Sequence, residues 1–410
     1  MYQASTDYPD VEDGDSTPLY SGGASTMWSK KAGGALVAIS GLLLLFALAS
    51  SSTAGTSTSN TLPTTTILNP LNFDASPKVC ASPTYSKTTL KLAKEESFVA
   101  MFQDSRGQKK FEASDMTQVG DSFYVVFDNL YSIGRVATNL PFASKSNQLI
   151  GPMTIDSGYE ALFYDPPTDH YFFVQESIQE AKAHFHAVIT EAVMREGDLD
   201  YQIVERCVSE YQFSSDNKGF EGAISIRSNG ELFILGLCEG NFCEGGEKGK
   251  VNHEPLRNVV QESGNGRLVV LHKPDTHGVV NVDCAWDVVK VITIPSQANF
   301  VDYSSIAING DSVAISSQES SALWLGKIDR ETFELAPGFV FNEPCHGHTE
   351  GVVYYFPRDH ECRVQYCNIE GITWLNDHLF AAVSDKMKSG GRQDFRCLDK
   401  DQSLHLFVLP

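Results

Sequence analysis

Asn217-Lys218-Gly219-Phe220-Glu221-Gly222-Ala223-Ile224-Ser225-Ile226, then Asn229-Gly230, then Leu232-Phe233-Ile234-Leu235-Gly236, is the stretch that decides the fold. It reads as a strand, a tight Asn-Gly turn and a second strand. A carboxylate, Glu221, stands where the first strand begins. The phrase recurs four times. Ala113-Ser114-Asp115-Met116 leads into Gly120-Asp121 and Phe123–Phe127. Tyr159-Glu160-Ala161-Leu162-Phe163 leads into Tyr171–Val174. Tyr303-Ser304-Ser305-Ile306 leads into Asn309-Gly310 and Val313-Ala314-Ile315. Ile369-Glu370-Gly371-Ile372-Thr373 leads into Asn376-Asp377 and Leu379–Val383. These are expected to be the inner hairpins of five blades in an all-β propeller.

A four-stranded blade needs two more strands after each hairpin, and the sequence offers them. They are Phe185–Ile189 and Tyr201–Val204, Arg267–Leu271 and Trp286–Ile292, and Ala322–Gly326 and Phe333–Phe341. After the last hairpin only Leu404–Val408 remains. Its missing partner is read as Ser97–Phe102, so that the two chain ends complete one blade and remove the open sheet edge. The hairpins lie further apart than a bare blade of about 40 residues requires, so insertions fill the rest. Six blades are the alternative count, the sixth beginning around Glu350–Tyr355.

The charge is −21 over 410 residues. That acidity, with no basic stripe, excludes a nucleic-acid polymer as partner. Residues 1–31 read as a disordered acidic tail ending in Lys30-Lys31. Residues 32–50 are uncharged, include Leu42-Leu43-Leu44-Leu45, and suit one helix through a lipid bilayer. The lysines precede it and no further Lys or Arg comes before Lys78, which predicts a cytoplasmic N-terminus, a type II topology and an ectodomain at the cell surface or in the secretory lumen. A cleaved signal peptide is the alternative; the long acidic start argues against it. Residues 51–79 form a Ser/Thr-rich stalk, and residues 80–410 the propeller.

All 9 cysteines lie from Cys80 onward, where export favours pairing. The expected pairs are Cys238 with Cys243, Cys345 with Cys362, Cys367 with Cys397 and Cys207 with Cys284, with Cys80 left over. Two His pairs, His184/His186 and His346/His348, are read as more often structural than ligating. No GxSxG elbow, phosphate-cradling loop or HExxH motif is present.

The first residue of each inner strand faces the propeller axis. Here those residues are Ser114, Glu160, Glu221, Ser304 (or Ser305) and Glu370. Two carboxylates about 6 Å apart at an effective dielectric of about 20 repel by roughly 3 kcal/mol. The cluster therefore calls for protonation or a cation, and a hard all-oxygen donor set favours Ca²⁺. The bland alternative is that each Glu caps its own hairpin. The second strands end at the same rim, with Asp128-Asn129, Gln175-Glu176, Glu239-Gly240-Asn241, Gln318-Glu319 and Asp385-Lys386. Glu176, Glu239, Glu319 and Asp385 are the candidate general bases. Arg135, Lys218, Asn241 and Lys386 are the candidate contacts for a small anionic substrate.

The order Ser, Glu, Glu, Ser, Glu, with the phrases Glu112-Ala113-Ser114-Asp115, Tyr303-Ser304-Ser305 and Ile369-Glu370-Gly371-Ile372, resembles the calcium-activated nucleotidases (apyrases). The resemblance implies a five-bladed propeller with Ca²⁺ on its axis at those five residues, and hydrolysis of nucleoside di- or triphosphates. The Phe-Glu-Gly and Ile-Glu-Gly phrases are also similar to esterase-like and phytase-like propeller domains. The competing expectation is a non-enzymatic ectodomain that binds glycan or protein and carries a structural Ca²⁺. The oligomeric state is not legible in the sequence.

Overall fold

The computed structural model describes residues 80–81, 85–181, 184–195, 197–213, 218–238, 266–273, 284–336, 352–387 and 395–410. The chain divides into Met1–Thr66 and Ile67–Pro410, and every described residue belongs to the second unit. The tail, the membrane-spanning segment read at 32–50 and the stalk lie outside the described residues. Among the described residues no helix is long and apolar enough to cross a membrane.

The described chain is almost all strand. In order these are β1 (Lys91–Ser97), β2 (Ala113–Val119), β3 (Ser122–Phe127), β4 (Leu130–Ala137), β5 (Gln148–Ile150), β6 (Tyr159–Asp165), β7 (His170–Ala181), β8 (His184–Val193), β9 (Gln202–Phe213), β10 (Phe220–Ser228), β11 (Glu231–Cys238), β12 (Arg267–His272), β13 (Ala285–Thr293), β14 (Ser305–Asn309), β15 (Ser312–Ser317), β16 (Ala322–Ile328), β17 (Leu335–Ala336), β18 (Val352–Tyr355), β19 (Ile369–Asn376), β20 (Leu379–Ser384) and β21 (Ser403–Val408). They pair as antiparallel meanders: β2 to β5, β6 to β9, β10 to β13, β14 to β17, and β19 to β21 with β1 added at the outer edge.

The turns follow local chemistry. Asn229 and Gly230 both have positive φ, 51° and 87°, between paired Ser228 and Glu231. That is the backbone Asn-Gly adopts most readily in a two-residue hairpin. Two turns are one residue later than the sequence suggests, at Gly310-Asp311 and Asp377-His378, because Asn309 and Asn376 still pair across their hairpins.

Most of the inner strands of the meanders carry continuous buried runs, such as those of β11, β15, β16 and β20, because each meander is covered on both sides, whereas outer strands such as β1, β9 and β13 are partly exposed. Phe172 joins Trp286 in one buried cluster, whereas its neighbour Phe173 joins Tyr159 in another. Five clusters fill the spaces between successive meanders. The innermost strands pack in a cycle, β2 on β6, β6 on β10, β10 on β14, β14 on β19 and β19 back on β2. Radial meanders around a closed inner ring define a β-propeller.

Several expectations are corrected. The closing strand is Lys91–Ser97, not Ser97–Phe102: Ser97 caps a helical turn, Phe98–Met101, whose Phe98 and Met101 fill the core beneath. Val352–Tyr355, near which a sixth blade was expected to begin, pairs with β16. Strands β4 and β5, which the sequence reading did not place, complete the first meander. Cys362 bonds Cys80 rather than Cys345, so Cys80 is not left over. Cys207–Cys284 and Cys367–Cys397 form as expected. Cys238 is disulfide-bonded, and its expected partner Cys243 lies outside the described residues. These bridges mark an oxidising, extracytoplasmic setting.

Candidate functional site on the propeller axis

A β-bulge opens four of the five inner strands. The register skips Ser114 between Ala113 and Asp115, Glu160 between Tyr159 and Ala161, Glu221 between Phe220 and Gly222, and Glu370 between Ile369 and Gly371. In the remaining one, Ser304 donates its N–H to Ser316 O just before Ser305 pairs with Ser316. An extra residue bends the strand and re-aims its side chain. The five residues singled out in the sequence thus occupy equivalent places around the ring.

The three carboxylates among them act on one another electrostatically. Glu160 keeps some accessible surface but is surrounded by protein, and its pKa is raised well above the usual carboxylate value. Desolvation is the largest cause, followed by the negative charges of Glu221, Asp128, Glu370 and Glu176. Ser114 is 2% exposed, and among the described residues its Oγ has no hydrogen-bond partner. A buried hydroxyl left in that state costs about 1–3 kcal/mol. Ser304 Oγ donates to Ile369 O at 2.9 Å and lies 3.1 Å from Ser316 Oγ.

Immediately past the bulges lies a layer the sequence reading missed. Asp115, 1% exposed, accepts from Leu162 N at 2.9 Å and from Ser305 Oγ at 3.0 Å. Ser305 Oγ in turn accepts from Ile372 N at 3.2 Å. Four of the five inner strands are thereby tied across the axis. The equivalent residues on the other strands are small: Ala161, Gly222 and Gly371. A Cβ on Gly371 would stand 2.7 Å from Asp115 Cα, and one on Gly222 would stand 3.0 Å from Ser305 Cα. Burial pushes the Asp115 carboxyl well above its usual pKa, although three hydrogen bonds oppose that.

The rim residues divide. Glu176, its N–H bound to Gly158 O, lies in the field of Glu160. Asp128 is exposed, acts on Glu160, and was placed in the rim by the sequence but not among the bases. Glu319 is half-buried and its N–H donates to the Asp302 carboxylate. Asp385 is 8% exposed and its carboxylate accepts from Lys386 N. Lys218 and Lys386 are half-buried beside β10 and β20. Arg135 is not at the rim: it sits late in β4 and donates to Gln148 on β5. Glu239 and Asn241 lie outside the described residues. So do His346 and His348, whereas His186 Nδ1 is 2.7 Å from Ser209 O.

All the axial donors are oxygens, which suits a hard cation and not zinc or copper. A compact His/Cys/Asp/Glu group among the described residues is Glu205 with Cys207 and Cys284. That group offers no thiolate, because both sulfurs are in the disulfide.

No protein-family description matches the chain, and no curated protein does. Solved structures similar to it include the PQQ-bound aldose sugar dehydrogenase of Streptomyces coelicolor, at 10% identity, TM-score 0.40, covering 77% of this chain and 98% of that one. An oxidoreductase (glucose dehydrogenase) of Thermus thermophilus is similar at 9% identity and TM-score 0.38, covering 77% and 99%. The β-propeller domain of Cps50 (Swd1) from Myceliophteria thermophila is similar at 8% identity and TM-score 0.34, covering 78% and 100%. At these scores the likenesses bear on no residue of this chain.

Proposed function

We propose that the chain is an extracytoplasmic five-bladed propeller whose axis takes a Ca²⁺ at Ser114, Glu160, Glu221, Ser304 and Glu370, and that it hydrolyses phosphate esters or anhydrides, nucleotides among them. The observation that carries this reading is that three carboxylates from separate blades act on one another, while Ser114, at the equivalent bulge of a fourth strand, has a buried Oγ with no hydrogen-bond partner among the described residues. When bound, the ion would polarise a phosphoryl oxygen and lower the pKa of a water. The chain's own residues supply the rest. Glu176 and exposed Asp128 stand on the solvent side, where a carboxylate can take a proton from water. Lys218 and Lys386 offer positive charge to an anionic substrate. A single membrane-spanning segment at 32–50 would hold the domain outside the cytoplasm in type II orientation.

The non-enzymatic alternative is one in which the ion is structural and the rim binds glycan or protein. Titration of the full chain with Ca²⁺ and with Mg²⁺ separates the readings. Melting temperature should rise with Ca²⁺ and not Mg²⁺, and phosphate release from nucleoside di- and triphosphates should disappear on chelation. Release that survives chelation refutes the ion's role. Stabilisation without release from any phosphate ester leaves the binding module.

A further inference from the structure

The residues one step past the proposed ion ring are Asp115, Ala161, Gly222, Ser305 and Gly371. None but Asp115 has a side chain longer than a hydroxymethyl. Each inner strand ends the strand order of its sheet, so the N–H groups on its axial edge have no ladder partner. Leu162 and Ile372 are each 2% exposed, and a buried N–H on that edge needs another acceptor. Asp115 Oδ2 accepts from Leu162 N at 2.9 Å, and Ser305 Oγ accepts from Ile372 N at 3.2 Å. Ser305 Oγ in turn donates to Asp115 Oδ1 at 3.0 Å. The fifth strand joins by contact: a Cβ on Gly222 would lie 2.9 Å from Ile306 N.

These ties fall close to the ring. Ser114 and Ser304 stand one residue before a tied residue, and Glu160 and Glu370 two, which is at most about 7 Å of chain. Ser114, Glu160 and Glu370 are skipped by their ladders. The aim of a bulged side chain is therefore set by how its strand is held on either side. On the side away from the rim, what holds these strands to one another is a single carboxylate and a single hydroxyl.

Resting on the axial ion site read above, we propose that Asp115 is the positioning residue of that site. It acts through backbone and not as a ligand: it fixes the spacing of the four strands that carry Ser114, Glu160, Ser304 and Glu370.

Ca²⁺ binding to the full chain, followed by calorimetry, tests this. Groups that orient a metal's ligands are worth about 10- to 100-fold in affinity, so Asp115→Ala should weaken Ca²⁺ by about tenfold or more. In chelator, the Leu162 and Ile372 amides of that variant should exchange hydrogen faster than the parent's. Asp115→Asn keeps the bridge, because its carbonyl oxygen accepts from Leu162 N and its NH₂ donates to a second lone pair of Ser305 Oγ. It should bind Ca²⁺ within about threefold of the parent. Ser305→Ala cuts the same bridge from the other strand, and gives the readout if Asp115→Ala does not fold, as a thermal melt will show. Bridge-cutting variants that bind Ca²⁺ as the parent does overturn the proposal and leave the bridge merely structural. An Asn variant as weak as Asp115→Ala overturns it too, since Asp115 would then act by its charge. A parent that binds no Ca²⁺ refutes the ion site itself and this proposal with it, so the parent's own titration tells the two failures apart.

Discussion

The two ends of the propeller axis are built from the same five strands and behave oppositely. Where the strands begin, a bulge turns an oxygen-bearing side chain inward on four of them, and like charges accumulate. Where they run on, regular register resumes on four of them, and Met116, Leu162, Ala223, Ile306 and Ile372 are each buried in a different cluster between meanders. One end is electrostatically incomplete alone; at the other, Arg227 pairs with Asp165 and Arg330 with Asp311. A repeat that places one irregular residue on most of its strands can thus make the two ends of one axis chemically different. The Asp115–Ser305 bridge keeps them apart, and it exists because three of the five residues in its layer have small side chains or none.

That divider gives the largest expected effect. Gly371→Val would drive side-chain atoms into Asp115 backbone atoms 2.7 Å away, which cannot move without shifting β2. We expect a loss of about 3 kcal/mol or more, read from the midpoint of denaturant unfolding. Gly310→Ala, at a turn on the other end with φ of 57° and nothing within 4 Å, should cost only about 1 kcal/mol. Equal losses would mean that the bridge layer is not tight.

Next in size is the charge of the carboxylate end. The folded pKa of Glu160 is raised, so the ion-free protein binds more protons folded than unfolded. Its contribution is present below the ordinary carboxylate range and is lost as pH rises through and above it. Glu160→Gln removes that loss. In chelator at neutral pH the variant should be more stable than the parent by on the order of 1–3 kcal/mol, and its melting temperature should no longer respond to Ca²⁺. A variant less stable than the parent in chelator would show that Glu160 serves as a hairpin cap rather than as part of a repelling cluster.

These contrasts also show what was legible in the sequence. The inner hairpins were, because Asn-Gly turns and short apolar runs act locally. The equivalent placing of Glu160, Glu221 and Glu370 was legible because a repeat fixes equivalent places. The bulges were not: they are visible only in cross-strand register, although the recurring carboxylate-small pairs Glu160-Ala161, Glu221-Gly222 and Glu370-Gly371 are their trace. Asp115 escaped notice because its role depends on Ser305, 190 residues away. Arg135 was misplaced because the third strand of its meander went unrecognised. The Cys80–Cys362 bridge, spanning 282 residues, left no local signal.

The difference between the two ends reaches outward to the strand that closes the ring, where the smallest effect is expected. Near the carboxylate end, Glu95 on β1 meets buried His405 on β21, whose Nε2 lies 2.7 Å from Ser384 Oγ. With the imidazole neutral, Nδ1–H donates to Glu95 and Nε2 accepts from Ser384, which satisfies all three groups. The His405 hydrogen bond, aided by Lys400, holds Glu95 down to about 2. Burial holds His405 below its usual value. Both folded pKa values are depressed, so both groups stabilise at neutral pH and lose that contribution in acid. For Glu95 the loss runs from about 4.5 down through about 2. Glu95 is a third exposed, so solvent screens the pair, and Glu95→Gln should cost less than about 1 kcal/mol at pH 7. Its stability should converge with the parent's as pH falls through that window. At the other end of the same strand, exposed Leu92 pairs with Phe407, and Leu92→Ala should cost a small amount that does not change with pH. If both variants showed the same flat difference across pH, the closing strand would be held by packing alone, and the chemical division of the axis would stop at the inner ring.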